Sequence, residues 1–339
     1  MFNINTLKAS RIKVIPFFLF LGIICITLIS LVSSLLGSIL ILEIVSHFKL
    51  QYLIFSALLF CLLLLTRPNK LLILSSIFCL AILLVEIAPW YIPHTVLPAN
   101  NPANLKILSS NINIQNQNYD KVLSLIRQEK PDIAVILENT EAWVKPLNSL
   151  NDLLPYSIFE ANPPGILGIA VYSKLPLKNA SINFFGLPKN PSILANLNIN
   201  GQDISLIAIH PPPPKPVLFE ERNKQLDEIR QYIKSLSNPV VMIGDFNTTM
   251  WSHYYKKFVS DTGLRNASQG FGIIQTWPRE TTYSAYSRIP PAILWLLSVP
   301  IDQCLISPEI KVVKIRSGVN VGSDHLPLIA DLVIPGKKS

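Results

Sequence analysis

The feature that most constrains this chain is a run of 29 residues, Val14 to Leu42, that contains no charged side chain. A helix needs about 20 predominantly apolar residues to span a bilayer. Two further apolar runs follow: the one over 50–65 carries no charge, and the one over 71–90 carries only Glu86. The sequence therefore predicts a membrane region over residues 1–98. Its three transmembrane helices are predicted at roughly residues 14–36, 48–66 and 71–90.

Two of these helices have an alternative interpretation. For the first, the alternative is a cleavable signal peptide. An anchor is favoured, because the apolar run exceeds an h-region of about 7–15 residues and no small-x-small cleavage site follows it. The run over 50–65 is slightly short for a span unless Phe48 and a snorkelling Lys49 extend it. An interfacial or re-entrant segment is therefore the alternative for the middle helix.

The distribution of lysine and arginine predicts the orientation of the membrane region. Lys8, Arg11 and Lys13 precede the first helix, and Arg67 and Lys70 lie between the second and the third. Positive residues concentrate on the cytoplasmic side, and with three spans these two segments lie on the same side. The stretch after the third helix has no lysine or arginine. We therefore expect a multi-pass protein of the cell membrane with a cytoplasmic N-terminus and an extracytoplasmic domain at 99–339.

The charge and cysteine content of residues 99–339 excludes some classes of protein. Of the 29 basic and 21 acidic residues in the chain, 23 and 19 lie in this part, which is therefore only mildly basic. A dedicated DNA-binding surface would show a clustered basic face. Of the four cysteines, only Cys304 lies beyond residue 98. An internal disulfide and a cysteine-based zinc site are therefore both excluded for this domain.

Residues 99–339 have the pattern of a mixed α/β domain. The apolar segment LKILSSNIN begins at Leu105, an amphipathic stretch covers 118–130, and the apolar segment IAVILE covers 133–138. This order predicts a β-α-β unit. Asn200-Gly201 between two apolar runs predicts a β-hairpin. Because hairpins mix with β-α-β units, we expect mixed sheets and not an all-parallel doubly wound fold.

Polar side chains of a restricted kind stand at the ends of the predicted strands. A turn or a cap accounts for any one of the acids and amides, and a lone histidine is more often a core residue. Together they suit metal-assisted phosphoester hydrolysis, since carboxylates hold Mg²⁺, activate water and, with amides and histidines, stabilise developing charge. The residues at strand ends are Asn111, Glu138, His210, Asp245, Asn247, Asp302, Asp324 and His325.

The order of these motifs resembles the endonuclease/exonuclease/phosphatase superfamily, over about residues 104–334. GDFN alone is a weak signal, but GDFN followed by an "ID" pair and by SDH is a strong one. A membrane-anchored bacterial branch is the most similar, on the segments HPPPP and TWP. The resemblance implies a DNase I-like fold, an α/β four-layer sandwich of two mixed β-sheets flanked by helices. The motifs are LKILSSNIN, PDIAVILEN, GIAVYSKLPL, IAIHPPPP, GDFNTT, PIDQCLIS and GSDHLPL.

The resemblance also implies a role for each strand-end residue. Glu138 would be the principal Mg²⁺ ligand, with Mn²⁺ as an alternative metal, helped by Asn111 and Asp324. Asp245 would orient or activate water. The remaining roles are phosphate binding by Asn247 and His210, and acid–base or electrostatic action by His325, oriented by Asp302. This sequence has Leu137 and Ser110 where the family usually has glutamine and commonly has tryptophan, and Asn113 where some nucleases carry aspartate.

The predicted function is that of a membrane-anchored, Mg²⁺-dependent phosphoesterase acting on phosphodiester or phosphomonoester bonds. Its partners would be the lipid bilayer and a substrate that is either extracytoplasmic DNA or RNA, or a phospholipid or inositol-phosphate-type ester; no feature indicates a protein partner. The alternative from another class is a catalytically silent binding domain, against which the complete residue set argues. The uncharged segment 289–301 is either a buried loop and strand or a loop that dips into the bilayer.

Overall fold

The computed structural model describes residues 4–93, 102–160, 168–281, 283 and 285–336. The predicted domain boundary at 98/99 lies outside the described residues. The chain divides into two compact units. The first comprises Met1–Pro89 with Trp251–His253, and the second Trp90–Met250 with Tyr254–Ser339.

The first unit contains four helices: α1 (Ile4–Leu35), α2 (Leu40–Ser46), α3 (Lys49–Leu65) and α4 (Lys70–Val85). Among the described residues, α1 is the one helix long and apolar enough to cross a membrane, over Val14–Leu35 with mean hydropathy 2.7. An anchor and a signal sequence share these properties. Helices α2 and α3 are bent by 65° and form either a broken span or a re-entrant segment, while α4 is shorter than a span. Three separate spans are therefore not shown.

Helix α1 ends at Leu35, close to the predicted end at residue 36, and residues 36–39 separate it from α2; they contain Gly37 and Ser38, which are poor helix formers. One detail of this unit corrects a sequence-based expectation. Lys49 does not snorkel, since its side chain is buried. Its Nζ donates to the carbonyl of Ser30 and to three hydroxyl groups. Those hydroxyls belong to Ser30 (3.0 Å), Ser33 (3.2 Å) and Ser34 (2.6 Å).

Twelve strands are described in the second unit. They are β1 (Leu105–Asn111), β2 (Ile133–Leu137), β3 (Tyr156–Glu160), β4 (Ile169–Ser173), β5 (Lys178–Asn183), β6 (Ser192–Ile199), β7 (Gln202–Ile209), β8 (Val240–Asp245), β9 (Arg265–Asn266), β10 (Asp302–Ile306), β11 (Lys311–Ser317) and β12 (Leu328–Val333). They form two six-stranded sheets, β11-β12-β1-β2-β4-β3 and β5-β6-β7-β8-β10-β9. Each sheet is mixed, with one parallel pair near its centre, β1–β2 or β7–β8. The predicted hairpin is confirmed as β6–β7.

The remaining helices are α5 (Tyr119–Glu129), α6 (Glu141–Asn148), α7 (Phe219–Lys234), α8 (His253–Thr262) and α9 (Pro291–Leu297). One apolar cluster joins the facing sides of both sheets, with Val135 and Val171 of the first sheet and Leu206 and Val241 of the second. A second cluster packs α5 and α6 against the other side of the first sheet, around Trp143. Mixed sheets flanked by helices are the architecture that the resemblance implied.

The parallel pair β7–β8 depends on a glycine at the end of β8. Gly244 has φ +150, and a Cβ on it would lie 2.0 Å from the carbonyl oxygen of Ile209, its partner on β7. A side chain at this position would therefore separate the two strands that carry His210 and Asp245.

Gly244→Ala is expected to destabilise the protein by at least about 2 kcal/mol, because the new methyl group overlaps backbone and not a mobile side chain. A thermal melt in detergent should show a fall in Tm of about 4–8 °C. Gly336→Ala is the matched control, since nothing lies within 4 Å of a Cβ there. An unchanged melting temperature for Gly244→Ala would contradict the close approach of β7 and β8.

Candidate active site

The strand register brings the predicted polar residues to one edge of each sheet. On the parallel pair β1–β2, Asn111 stands opposite Leu137, so Glu138 follows directly beyond it. On the parallel pair β7–β8, Ile209 stands opposite Gly244, so His210 and Asp245 are neighbours at the carboxyl ends. Strand β10 runs antiparallel to β8 and places Asp302 opposite Asp245. Carboxyl ends of strands are the usual place for a site in such folds.

Asp245 lies at the centre of this cluster and is buried. Its Oδ2 accepts a hydrogen bond from Asn111 Nδ2 at 3.2 Å and lies 3.5 Å from His210 Nε2 and 3.8 Å from His325 Nε2. Its Oδ1 accepts from the backbone N–H of Asn247 at 2.8 Å. Burial alone would raise the pKa of Asp245, but His325 and His210 outweigh it and the pKa is lowered. The carboxylate is therefore ionised at neutral pH.

Glu138 lies beside Asp245 but is less enclosed. Its Oε1 accepts from Asn111 Nδ2 at 2.9 Å and lies 3.8 Å from His210 Nε2. Its Oε2 accepts from the backbone N–H of Ile114 at 3.1 Å. The residue has φ +60, in the left-handed region that non-glycine residues rarely adopt. Such backbone conformations cluster at functional sites.

His325 and Asp302 form a buried pair, with His325 Nδ1 2.9 Å from Asp302 Oδ2. Burial disfavours the charged imidazole, but the carboxylates of Asp302 and Asp245 outweigh this and raise the pKa of His325 to about 10. The ring therefore carries a proton on each nitrogen at neutral pH. The Asp302 contact fixes Nδ1 and leaves Nε2 directed toward Asp245.

Asp324 is held by two side-chain donors. Asn113 Nδ2 donates to Oδ1 at 2.8 Å, and Trp277 Nε1 donates to Oδ2 at 3.3 Å. The Trp277 ring lies 6.3 Å from the ring of His325, centroid to centroid. Asn113, which the sequence left without a role, thus joins Asp324 to the rest of the cluster, because its backbone N–H also donates to Asn111 Oδ1 at 3.1 Å.

Asn247 and His210 are positioned by backbone contacts. Asn247 has φ +48, and its Nδ2 donates to the carbonyl of Pro211 at 2.9 Å. The carbonyl of His210 accepts from Asn190 Nδ2 at 3.1 Å. His210 Nδ1 is buried without a hydrogen-bond partner among the described residues. The pKa of His210 is raised, since Asp245 and Glu138 outweigh the opposing effect of burial.

All eight predicted site residues therefore belong to one connected cluster at the ends of the central strands. The sequence matches the Endonuclease/Exonuclease/phosphatase family over residues 108–325, which is more than half of the chain. The chain belongs to this family. The match begins in β1 and ends at His325, so it spans the whole cluster.

Several solved structures have a similar fold. TDP2 of D. rerio, solved in complex with a single-strand DNA product, has a TM-score of 0.54 and 17% identity, covering 68% of this chain and 99% of that one. An endonuclease/exonuclease/phosphatase family protein from Leptotrichia buccalis has a TM-score of 0.52 and 18% identity, covering 68% and 100%. Another family protein, from Bacteroides thetaiotaomicron, has a TM-score of 0.54 and 16% identity, covering 69% of this chain and 99% of that one. No curated protein matches the sequence.

Among the described residues of the cluster, two candidates have the chemistry to hold a metal ion: the group formed by Asp245, Asp302 and His325, and the carboxylate of Glu138. Asp245, Asp302 and His325 have ligand atoms within 4.8 Å of one another. However, a histidine with a raised pKa keeps the proton that a metal must displace, and its Nδ1 already contacts Asp302. The less enclosed carboxylate of Glu138 fits Mg²⁺ better, because this cation prefers oxygen ligands and keeps several waters.

The two residues predicted to bind the metal together with Glu138 differ in their contacts. Asn111 directs its Nδ2, and not its oxygen, toward Glu138, whereas its Oδ1 faces the backbone N–H of Asn113. Asp324 joins the cluster through Asn113 and Trp277. Their participation as metal ligands stays a prediction, and Glu138 has the stronger structural support.

Sequence reasoning missed two residues that position the cluster. Ser323 Oγ donates to the carbonyl of Asn111 at 2.8 Å and accepts from the backbone N–H of His325 at 3.1 Å. Arg222 is buried, and its Nη1 donates to the carbonyl of Asn247 at 3.4 Å. The signal for Arg222 was its place on α7, four residues before Leu226 on the apolar stripe.

Proposed function

We propose that this protein is a membrane-anchored, metal-dependent phosphoesterase of the membrane-anchored bacterial branch of its family, with water as the nucleophile. The observation that carries the proposal is the position of Asp245. Its ionised carboxylate faces the Nε2 atoms of two histidines, His210 and His325, at 3.5 and 3.8 Å from Oδ2. A carboxylate base beside two donors is what attack of water on a phosphoester requires.

The roles of the chain's residues follow from their protonation states. Asp245, with a lowered pKa, orients a water molecule and accepts its proton. His325, with a raised pKa, donates from Nε2 to a phosphoryl or leaving-group oxygen, while Asp302 holds the ring in place. His210 and Asn247 bind the phosphate oxygens. Mg²⁺ or Mn²⁺ at Glu138, with Asn111 and Asp324, would polarise a phosphoryl oxygen and offset its charge.

The apolar helix α1 supports membrane anchoring, since its 22-residue apolar part is long enough to span a bilayer and largely unburied. We propose further that α2–α3 and α4 also enter the membrane. The positive residues before α1 favour a cytoplasmic N-terminus and an extracytoplasmic catalytic domain over about 99–339.

Two substrate classes fit this site. D. rerio TDP2, whose fold is similar, has been solved with a single-strand DNA product, and this favours nucleic acid. The mild charge of residues 99–339 favours a phospholipid-type ester instead. A silent binding domain is disfavoured, because such a domain would not need the contacts that lower the pKa of Asp245 and raise the pKa of His325.

The proposed function is tested with the full chain in detergent and in proteoliposomes. We expect Mg²⁺-dependent hydrolysis of at least one of plasmid DNA, RNA and a panel of phospholipids, abolished by EDTA and absent in Asp245→Ala. Thermal melts would establish that both proteins are folded. Folded wild-type protein that binds Mg²⁺ but hydrolyses none of these substrates would contradict the proposal and favour a binding role.

Asp302→Asn is expected to shift the pH dependence of hydrolysis. In the wild-type protein His325 keeps its proton until the pH rises through its raised pKa, so activity that needs this proton persists into the alkaline range. Removing the Asp302 charge lowers the pKa of His325, and the alkaline loss of activity should then begin at a lower pH. The profile of kcat against pH measures this. An alkaline limb that does not move would show that His325 is not the proton donor.

A further inference from the structure

Helix α9 presents an unusual surface for a helix of a water-facing domain. Leu294 is 1% exposed and attaches the helix to the domain, whereas Ile293, Trp295 and Leu297 are 47%, 58% and 40% exposed. At about 100° per residue, Ile293 and Trp295 bound an arc of about 160° opposite Leu294, and Leu297 lies about 60° from Leu294. A surface helix normally carries polar side chains on such an arc, but Pro291–Leu297 contains none. The buried-loop alternative for 289–301 is therefore wrong for α9, although residues 298–301 are buried.

The composition of this surface indicates a lipid bilayer as its partner. Tryptophan is enriched where proteins meet the membrane–water interface. Arg288, at the end of the 3-10 helix just before α9, is exposed and can pair with lipid phosphates. The same chain carries α1, a helix long and apolar enough to cross a membrane. A protein surface would also cover an apolar arc, but α1, proposed above as a membrane anchor, would tether this domain to a bilayer.

Helix α9 is connected to the candidate active site by hydrogen bonds and by a short chain segment. Directly after α9, Ser298 Oγ donates to the carbonyl of Trp277 at 3.1 Å, and Trp277 N–H donates to the carbonyl of Val299 at 3.2 Å. Trp277 in turn donates to Asp324. From Leu297 the chain reaches Asp302 in five residues, which span at most about 18 Å when fully extended.

One other exposed apolar side chain borders the same site. Ile114 is 44% exposed, and its backbone N–H donates to Glu138. Exposed apolar side chains on two separate segments, α9 and the segment that contains Ile114, indicate an interaction surface and not scattered exposure.

We propose that α9 docks onto the surface of the lipid bilayer, with Ile293, Trp295 and Leu297 inserted at the headgroup–acyl boundary, and that the substrate is a phosphoester carried by a lipid at that surface. The first part rests on the membrane anchor of the proposed function, and the second rests also on its phosphoesterase activity. Docking would place the site against lipid headgroups, so that a membrane-borne phosphoester reaches it without leaving the bilayer.

Docking is tested first by fluorescence, without any reference to activity. Trp295→Cys is made in a full chain in which Cys25, Cys61 and Cys79 are replaced by alanine; Cys304 is kept because it is buried. The new cysteine is labelled with an environment-sensitive fluorophore, and the protein is reconstituted into vesicles. Gln202→Cys is the matched control, because β7 begins there and ends beside His210, about 23 Å away at 3.3 Å per residue. We expect a blue shift and quenching by headgroup-level nitroxide lipids at 295 and neither at 202. Equal, unquenched emission at both positions overturns docking.

The substrate class is tested by comparing two substrates. Replacing Ile293, Trp295 and Leu297 by serine should lower hydrolysis of vesicle-borne phospholipid at least about 10-fold, since apolar area no longer enters the bilayer. Hydrolysis of water-soluble bis(p-nitrophenyl) phosphate should change less than about 2-fold. If the triple variant has a lower melting temperature than the wild type, Trp295→Ser alone is used in its place, and a smaller loss of phospholipid hydrolysis is expected. Equal rates of vesicle hydrolysis in wild type and a folded variant overturn the proposal.

The outcomes for the wild-type protein separate the two proposals. Hydrolysis of the soluble ester without hydrolysis of any phospholipid overturns the lipid substrate and leaves the phosphoesterase standing. Failure on both substrates counts against the proposed function, while the fluorescence result still decides whether α9 docks.

Discussion

Asp245→Asn is expected to lower kcat by about 10²- to 10⁴-fold, the usual contribution of a positioned general base. The asparagine keeps the size of the side chain and one oxygen that accepts from the backbone N–H of Asn247, so the loop after β8 should stay in place. It loses the charge that faces His210 Nε2 and His325 Nε2. Steady-state kinetics on the best substrate, with Mg²⁺ in excess, measure the effect.

The control for this prediction is Asp227→Asn on α7, where the carboxylate pairs with Arg230 near the surface. Its kcat should equal that of the wild type, because surface ion pairs of this kind contribute little to stability and the fold is kept. If Asp245→Asn retained more than about a tenth of the wild-type kcat, the carboxylate would not be acting as the base.

Glu138→Gln is expected to have the second large effect, on metal dependence. The glutamine keeps the shape of the side chain but carries no charge for a divalent cation. Even the loss of an outer-sphere partner weakens metal binding by about 10- to 100-fold, so loss of the principal ligand should cost at least about 100-fold in the Mg²⁺ concentration for half-maximal activity. Titration of activity with Mg²⁺ and calorimetric titration of the protein both measure it.

Glu141→Gln is the matched control, since Glu141 is an exposed carboxylate three residues further along, in the first turn of α6. It should leave the Mg²⁺ titration unchanged. An unaltered titration in Glu138→Gln, with a shift in Asp302→Asn instead, would assign the metal to the group formed by Asp245, Asp302 and His325.

The grouping of the candidate site residues could be predicted from the sequence because strands impose a simple geometry. An apolar run that stops at Glu138 or at Asp245 marks both a strand and its end, and parallel neighbours bring such ends together. The register of β7 with β8 is an example, since it puts His210 beside Asp245. The order of the motifs then indicated the family.

Other features depend on long-range packing, which local patterns do not contain. The hydroxyl of Ser323 matters because the segment around it returns to β1, 212 residues away in the chain. The ammonium of Lys49 is buried because serines of α1 accept its hydrogen bonds. The seven-residue helix α9 is too short for a helical period to establish itself in the sequence.

The membrane region is the part where pattern and structure differ most. Hydropathy alone groups 14–42 into one run, but the turn at 36–39 divides it. Composition predicts where apolar helices lie, yet the number of spans depends on helix length and on bends such as the 65° between α2 and α3.

Attack of water on the phosphorus of a phosphoester at this site can be followed by isotope transfer. The full chain would hydrolyse bis(p-nitrophenyl) phosphate with Mg²⁺ in ¹⁸O-labelled water, followed by mass spectrometry of both products. We expect one ¹⁸O atom in the p-nitrophenyl phosphate, none in the p-nitrophenol, and a rate at least about 100-fold lower in Asp245→Asn. Label in the phenol, or a rate in Asp245→Asn above about a tenth of the wild-type rate, would contradict attack of water at phosphorus with Asp245 as the base.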